Sequence, residues 1–152
     1  AAALILGFRG RVVMFREEIK KHLPHREPML LLDEVNVNEG GEAVGKYTVR
    51  GDEFFLQGHF PGNPIVPGVI QLEMIAQTSV ALLCDNEGAT PMYTGLNNVK
   101  FKHPLLPGDT AVMTVSITAR KGIFCFAKGN LKANGKLCTC AEFSFAMVPP
   151  EK

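Results

Sequence analysis

The sequence has no tryptophan, two tyrosines and four cysteines among its 152 residues. The cysteines form no C-x-x-C pair and are too sparse for a disulfide-rich secreted domain, so a reducing cytoplasmic compartment is predicted. An excess of one charge is also missing, because 16 Lys and Arg against 15 Asp and Glu leave a net charge of +1. Since a protein that neutralises nucleic-acid phosphates is usually far more basic, nucleic-acid binding is not expected.

Long hydrophobic runs are missing as well. No apolar run approaches the roughly 18 residues of a membrane-spanning helix, so no membrane association is predicted. Hydrophobic residues make up 46% of the chain and charged residues 20%, which is typical of a folded globular protein. This length predicts one domain, assigned to residues 14–152.

Residues 1–13, AAALILGFRGRVV, stand apart from this domain. Their short apolar run precedes Arg9 and Arg11, which reverses the order of a secretory signal. We therefore expect an N-terminal extension or a leader remnant. If it is the remnant of a transit peptide, the compartment is an organelle stroma rather than the cytoplasm.

Strands dominate the predicted secondary structure. Residues 111–117 and 137–147 alternate between apolar and polar or small side chains with period two, which indicates half-buried antiparallel strands. Asn134-Gly135 and Arg120-Lys121-Gly122 predict the turns next to them. Two earlier strands are predicted at residues 29–38 and 42–50.

A segment without Gly or Pro, from Val69 to about Cys84, predicts a helix that is apolar nearly all round and therefore buried. A shorter helix is predicted at residues 15–22. One buried helix and about six strands predict an α+β fold, a curved antiparallel sheet wrapped around the helix. We expect Phe143, Phe145 and Val148 to make the outer face of the sheet apolar enough to bind a second copy, which gives at least a dimer.

Several ligand-binding motifs are excluded. Residues 40–46 match G-x-x-x-x-G-K, but Tyr47 replaces the required Ser or Thr and the flanks are strands. Pro24 breaks the helix that would bring His22 and His25 together, so a metal site there is not expected. No G-x-S-x-G or dinucleotide-binding fingerprint occurs. The prediction is therefore no metal and no cofactor.

The most informative segment is GHFPGNPIVPG, residues 58–68. His59 lies in a loop stiffened by Pro61, Pro64 and Pro67, which hold the imidazole in one position. A preorganised histidine is suited to proton abstraction. The alternative is a loop histidine that hydrogen-bonds only to the backbone.

Glu73 and Gly68 add to this pattern. Glu73 lies in the buried helix, where an unpaired carboxylate costs on the order of several kcal/mol, so it must have a partner or a function. The alternative for Glu73 is a buried hydrogen bond to the backbone or to Gln77. Gly68 places a backbone N–H at the helix start, where it can polarise a carbonyl. A base, an acid and an oxyanion donor together indicate proton removal beside a carbonyl.

Three motifs in this order carry a family resemblance: LPHREPMLLLDEV, then GHFPGNPIVPGV with LExxAQ after it, then FKHPLLPGD. From about residue 15 to residue 148 the chain resembles the (3R)-hydroxyacyl-[acyl carrier protein] dehydratases of type II fatty acid synthesis, the FabZ type. The resemblance implies the hot-dog fold and assembly as dimers, commonly as trimers of dimers. It also implies that the chain dehydrates (3R)-3-hydroxyacyl thioesters to trans-2-enoyl thioesters without a cofactor.

The resemblance assigns roles to individual residues. It implies that His59 and Glu73 are catalytic and meet across the dimer interface, and that the Gly68 amide binds the thioester carbonyl. Tyr93 corresponds to the residue that gates the substrate tunnel, although it is also typical of a packed strand, and Phe60 and Val69 are expected beside the tunnel. Because the related isomerases carry Asp at the helix position, the glutamate there favours dehydration without isomerisation.

Partners and alternatives follow from the same resemblance. The partner is an acidic acyl carrier protein with a phosphopantetheine-linked substrate, and its candidate contacts are Lys100, Lys102, Arg120 and Lys121. The chain departs from the usual family pattern at Glu27, Glu34, Phe54, Leu56 and Val66. Two other functions remain open: a hot-dog thioesterase that hydrolyses the same thioester, and an acyl-thioester binder without activity.

Overall fold

A computed structural model describes residues 13–83 and 88–151. Except for Val13, the predicted N-terminal extension lies outside the described residues, as does Cys84, the predicted end of the long helix. The strands are β1 Met14–Phe15, β2 Glu34–Val37, β3 Ala43–Thr48, β4 Thr90–Phe101, β5 Thr110–Lys121, β6 Phe124–Ala133 and β7 Lys136–Val148. The helices are a short helix Arg16–Ile19, a central helix Gly68–Thr78, and 3₁₀ helices at Phe54–Leu56 and Ser79–Leu82.

All seven strands form one antiparallel sheet in the order β1-β2-β3-β5-β6-β7-β4. The sheet exceeds the predicted six strands because Met14 and Phe15, expected near the short helix, pair with β2 instead. Asn134 and Gly135 both have positive φ, 53° and 74°, as a two-residue hairpin requires. An antiparallel sheet around one central helix is the hot-dog fold, so the predicted fold class is confirmed.

Two predicted segments are shorter than expected. The first strand begins at Glu34 rather than residue 29, because Leu30, Leu31 and Leu32 are all buried and the Leu31 N–H donates to the Gln77 side chain rather than to a neighbouring strand. The central helix stops being α-helical at Thr78. The hydroxyl of Thr78 donates to the Met74 carbonyl, and such back-bonding competes with the regular helix ladder.

The central helix packs closely on the sheet where two strands carry glycine. A Cβ atom at Gly129 would lie 2.6 Å from Ile75 Cγ2, and one at Gly45 would lie 2.6 Å from Thr78 Oγ1. Any larger residue at these positions would push the helix away from the sheet. Glycine in β3 and β6 therefore sets how deeply the helix, and the polar side chains it carries, lie in the fold.

The expectation about the outer face of the sheet is wrong for two of its three residues. Phe143 and Phe145 are 3% and 4% exposed and belong to the core. The period-two series of β7 points its apolar members toward the core, so Glu142 and Ser144 face the other way. Val148 is exposed, as expected.

Four exposed large apolar side chains lie along the edge strand β4. β4 pairs with β7 on one side and with no described strand on the other. Its large apolar side chains Met92, Tyr93, Leu96 and Phe101 are all exposed. A long apolar edge strand is a template for pairing with another chain. Within the described residues, no helix is long and apolar enough to cross a membrane.

Candidate active site

The loop that carries His59 is held by its own backbone. Ile65 N donates to His59 O at 2.8 Å, and Phe60 and Asn63 exchange two backbone hydrogen bonds. Val66 N donates to Leu105 O at 2.9 Å and ties the end of the loop to the chain beyond β4. These bonds fix the backbone on both sides of the histidine, as the three prolines of the segment predict.

The His59 ring has a defined orientation. Its Nδ1 lies 2.9 Å from the carbonyl oxygen of Ile65, and because a carbonyl only accepts, Nδ1 is the donor. In the neutral ring Nε2 then carries the lone pair. Nε2 has no hydrogen-bond partner among the described residues, and the Phe60 ring stacks on the imidazole at 4.3 Å between centroids. This ring can accept a proton at Nε2 without breaking a bond.

The start of the central helix lies in the same open pocket as His59. A Cβ at Gly68 would lie 2.6 Å from Cε1 of Phe101, so only glycine fits beside this ring. The backbone N–H groups of Gly68 and Val69 have no acceptor among the described residues, and Val69 is 71% exposed. The pocket is lined by His59, Ile65, Val66, Pro67, Gly68, Val69, Gln71, Phe101, Lys102, His103 and Pro104.

Glu73 lies in a different pocket. Its side chain is 20% exposed, and its Oε2 accepts a 2.7 Å hydrogen bond from Gln77 Nε2. The hydrogen bond to Gln77, one of the alternatives that the sequence left open, is therefore confirmed as a contact. His25 Nε2 lies 3.1 Å from the same oxygen. This contact was not predicted from the sequence, although His25 belongs to the quoted LPHREP segment, because His25 was considered only as a metal ligand.

The pocket around Glu73 is small, about 50 Å³, and has both polar and apolar lining residues. It is lined by His22, Leu23, His25, Glu73, Ala76, Gln77, Ser79, Val80, Leu83, Pro91, Tyr93, Phe145 and Met147. Tyr93 donates from its hydroxyl to the Leu72 carbonyl at 2.7 Å. Burial, together with the nearby Glu73 charge, raises the pKa of Tyr93, which keeps its phenol a donor. No cluster of described His, Cys, Asp and Glu side chains could hold a metal ion.

The two pockets share no lining residue. One chain therefore brings His59, Gly68 and Val69 together at one opening, and Glu73 and Tyr93 at another. Phe60 stacks on His59 but is not among the described residues that line the first pocket. The described structure of a single chain does not join the predicted base and acid in one pocket.

The four candidate cations are spread over three regions. Lys102 lines the His59 pocket. Lys100 lines a separate polar crevice that also contains Glu142. Arg120 and Lys121 lie at the end of β5. Among these four cations, Lys102 alone lines the opening that contains His59.

Glu27, a departure from the family pattern, has a clear structural role. It pairs with Arg16 at 3.0 Å and with Lys20 at 3.1 Å. Its own backbone amide and the Lys20 ammonium lower the pKa of Glu27 to about 2. Of the other departures, Leu56 and Val66 are buried, and Phe54 is exposed.

Comparison with known proteins agrees with this fold. The family model for ApeI-like proteins, described as ApeI dehydratase, matches residues 35–139. The dehydratase heterocomplex ApeI:P from Xenorhabdus doucetiae has a similar structure, with a TM-score of 0.74 at 22% identity over 88% of this chain and 91% of that chain. The chain is therefore a dehydratase-type hot-dog protein.

Two curated relatives narrow this class. The 3-hydroxyacyl-[acyl-carrier-protein] dehydratase FabZ of Alkaliphilus metalliredigens is 39% identical over 138 residues, 88% of this chain and 93% of that protein. The FabZ of Clostridium beijerinckii is 40% identical over 136 residues, 86% of this chain and 96% of that protein. The chain belongs to the FabZ family of 3-hydroxyacyl-[acyl-carrier-protein] dehydratases.

Proposed function

We propose that this protein catalyses the reversible dehydration of (3R)-3-hydroxyacyl-[acyl carrier protein] to trans-2-enoyl-[acyl carrier protein] in fatty acid synthesis. Among the structural features, the His59 ring carries the proposal. Its Nδ1 is bound to a carbonyl and its Nε2 is open, in a chain 39% identical to a protein with this activity in its name. No cofactor takes part, because proton transfer between enzyme and substrate accounts for the whole reaction.

His59 is the base and Glu73 the acid. Nε2 of His59 removes the proton from C2 of the substrate, and the double bond between C2 and C3 forms as the C3–O bond breaks. Glu73 gives its proton to the departing hydroxyl, which leaves as water. Proton exchange with solvent then returns His59 to its neutral form and Glu73 to its protonated form.

The first amides of the central helix supply the third element. The N–H groups of Gly68 and Val69 lack acceptors among the described residues and lie at the positive end of the helix dipole. They bind the thioester oxygen, which becomes negative as the C2 proton leaves. The close contact of Gly68 with Phe101 excludes any larger side chain here.

Each active site needs two chains. His59 of one protomer works with Glu73 of its partner, and the apolar edge of β4 forms the dimer interface. Two observations support this arrangement: the pockets that contain the two residues share no lining residue among those described, and the edge strand β4 carries exposed large apolar side chains. Assembly of three such dimers completes the oligomer.

The acyl chain enters the Glu73 pocket. The apolar residues that line this pocket include Ala76, Val80, Phe145 and Met147. In this structure the pocket holds about 50 Å³, which is room for a few water molecules and not for a long acyl chain. Tyr93, whose hydroxyl bonds to Leu72, is the side chain that moves to admit longer chains. Phe60 and Val69 line the tunnel mouth near His59.

The carrier protein docks beside the His59 pocket. Lys102 lines that pocket and is the first candidate for its acidic surface, with Lys100, Arg120 and Lys121 as more distant candidates. The cysteine content agrees with a cytoplasmic location, since Cys138 and Cys140 are free thiols.

The direct test uses crotonyl-carrier protein and 3-hydroxybutyryl-carrier protein. We expect the purified chain to lower the absorbance of the conjugated enoyl thioester in the first case and to raise it in the second. Absence of both reactions would overturn the proposed function. Release of a free thiol without enoyl formation would favour the thioesterase alternative.

A further inference from the structure

Glu73 uses its two carboxylate oxygens unequally. Gln77 Nε2 and His25 Nε2 both approach Oε2, at 2.7 Å and 3.1 Å. Oε1 has no partner among the described residues. Since donors to a carboxylate fix its orientation and discourage protonation of the oxygen they bind, the free oxygen is the one available for proton exchange.

The orientation of Gln77 follows from its other bonds. Its amide oxygen accepts from Leu31 N at 2.8 Å, so its amide nitrogen must point the other way. That nitrogen donates one hydrogen to Met29 O and the other to Glu73. Gln77 is buried and all its donors are used, so it holds Glu73 from the side of the helix.

His25 approaches the same oxygen from the other side of the pocket. An ionised carboxylate has no hydrogen to give, so with Glu73 ionised this contact needs a proton on Nε2. His25 Nδ1 is buried without a partner among the described residues, and the tautomer with Nδ1 unprotonated avoids a buried donor without an acceptor. His25 is then a single donor aimed at Oε2.

We infer that His25 is a positioning residue for the acid: its Nε2–H and the Gln77 amide hold Oε2, so that Oε1 alone carries the proton given to the leaving hydroxyl. The inference rests on the proposed function, in which Glu73 is the acid. It assigns His25 a role in the reaction without direct contact with the reacting atoms.

The test compares two replacements of His25 by an amide side chain, His25→Asn and His25→Gln. The amide nitrogen of glutamine reaches about as far as Nε2, whereas that of asparagine is about one bond shorter and corresponds to Nδ1. Loss of a hydrogen bond to a charged group is expected to lower kcat about 10- to 100-fold, with little change in KM, in His25→Asn. His25→Gln restores most of this loss. Equal kcat values for wild type, His25→Asn and His25→Gln would overturn the inference.

The pH profile of kcat separates positioning from a merely structural role. The other titratable side chains that line this pocket are His22, Glu73 and Tyr93, and Glu18 lies 3.6 Å behind His22. His25→Asn removes one hydrogen-bond donor to the Glu73 carboxylate, whereas His25→Gln keeps it. The limb of the kcat profile that reports Glu73 should therefore move to higher pH in His25→Asn and stay in place in His25→Gln. An unchanged profile in His25→Asn contradicts the inference.

Arg26→Gln is the matched control on the same loop. Arg26 donates to the carbonyls of Leu23, His25 and Lys20 but does not contact Glu73. We expect a lower unfolding temperature with kcat within about twofold of wild type. If Arg26→Gln lowers kcat and shifts the profile as His25→Asn does, loop stability explains both and the inference fails. An inactive wild type overturns the proposed function instead, whereas an active wild type with a fully active His25→Asn overturns only this inference.

Discussion

The proposed base and the proposed acid are positioned by different parts of the chain. His59 is held by Ile65, six residues away, within one proline-stiffened loop. Glu73 is held by Gln77 on its own helix and by His25, a residue of a distant loop. The geometry of His59 is therefore local, whereas that of Glu73 depends on how the loop before β2 packs against the central helix. Substitutions that disturb tertiary packing should affect the acid more than the base.

The largest expected effect is loss of either catalytic group. His59→Ala removes the proposed base and Glu73→Gln removes the proposed acid, and each should lower kcat about 10²- to 10⁴-fold, the usual contribution of a positioned acid or base. Enoyl absorbance measures the activity, and circular dichroism checks that the variants remain folded. A folded variant with wild-type turnover would remove that residue from the mechanism.

Mixing these two inactive variants tests whether base and acid come from different chains. A mixed dimer has one site with both native residues and one site with neither, so random mixing should restore about a quarter of wild-type activity. Mixed dimers can be isolated with two affinity tags. No activity in isolated mixed dimers would show that each chain builds its own site.

A smaller effect is expected at the helix start beside His59. In Gly68→Ala the new Cβ collides with the Phe101 ring, which moves within the pocket and misplaces the substrate, so kcat should fall about 10-fold. The double variant Gly68→Ala/Phe101→Ala removes the collision. The loss of activity in the double variant should therefore be smaller than the sum of the losses in the two single variants. Purely additive losses would show that the collision does not matter.

The smallest effect concerns the loop that carries His25. Because the folded-state pKa of Glu27 is about 2, below its ordinary value of 4.5, its ion pairs stabilise the fold above about pH 4.5 and lose this effect as pH falls through 2. Glu27→Gln should lower the unfolding temperature slightly at neutral pH, less so in high salt, and not at all near pH 2.

Glu34→Gln is the control for this experiment, since Glu34 has no ion-pair partner among the described residues. It should leave the unfolding temperature unchanged across the same pH range. If the difference in unfolding temperature between wild type and Glu27→Gln does not vary with pH, the ion pairs are not its cause.

The parts of the fold that depend on residues close together in the sequence were predictable. The alternation in β5 and β7 and the Asn134-Gly135 hairpin agree with the structure because period two and turn chemistry are local properties. The placement of Phe143 and Phe145 was wrong because alternation separates two faces of a strand without telling which face the helix covers. The limits of β2 were wrong because three consecutive leucines suit either a buried strand or a buried loop.

The same division holds at the candidate site. His59, Glu73 and Gly68 stand out in the sequence because a proline-rich loop, a carboxylate in an apolar helix and a helix-start glycine are local features. The contact between His25 and Glu73 was not predicted, since Pro24 argued only against a metal site shared by His22 and His25, and the contact joins segments far apart in the sequence. The Gly68 contact with Phe101 likewise needed the packed structure.

The sequence by itself determined the fold class and the family and singled out the proposed catalytic side chains, because hydrophobic periodicity, turn residues and motif order are properties of short segments. Only the tertiary structure decided which oxygen of Glu73 is held, which face of β7 is buried and that the pockets of His59 and Glu73 are separate within one chain. The physical reason is that each of these depends on contacts between segments far apart in the sequence, whose distances are set by packing around the central helix.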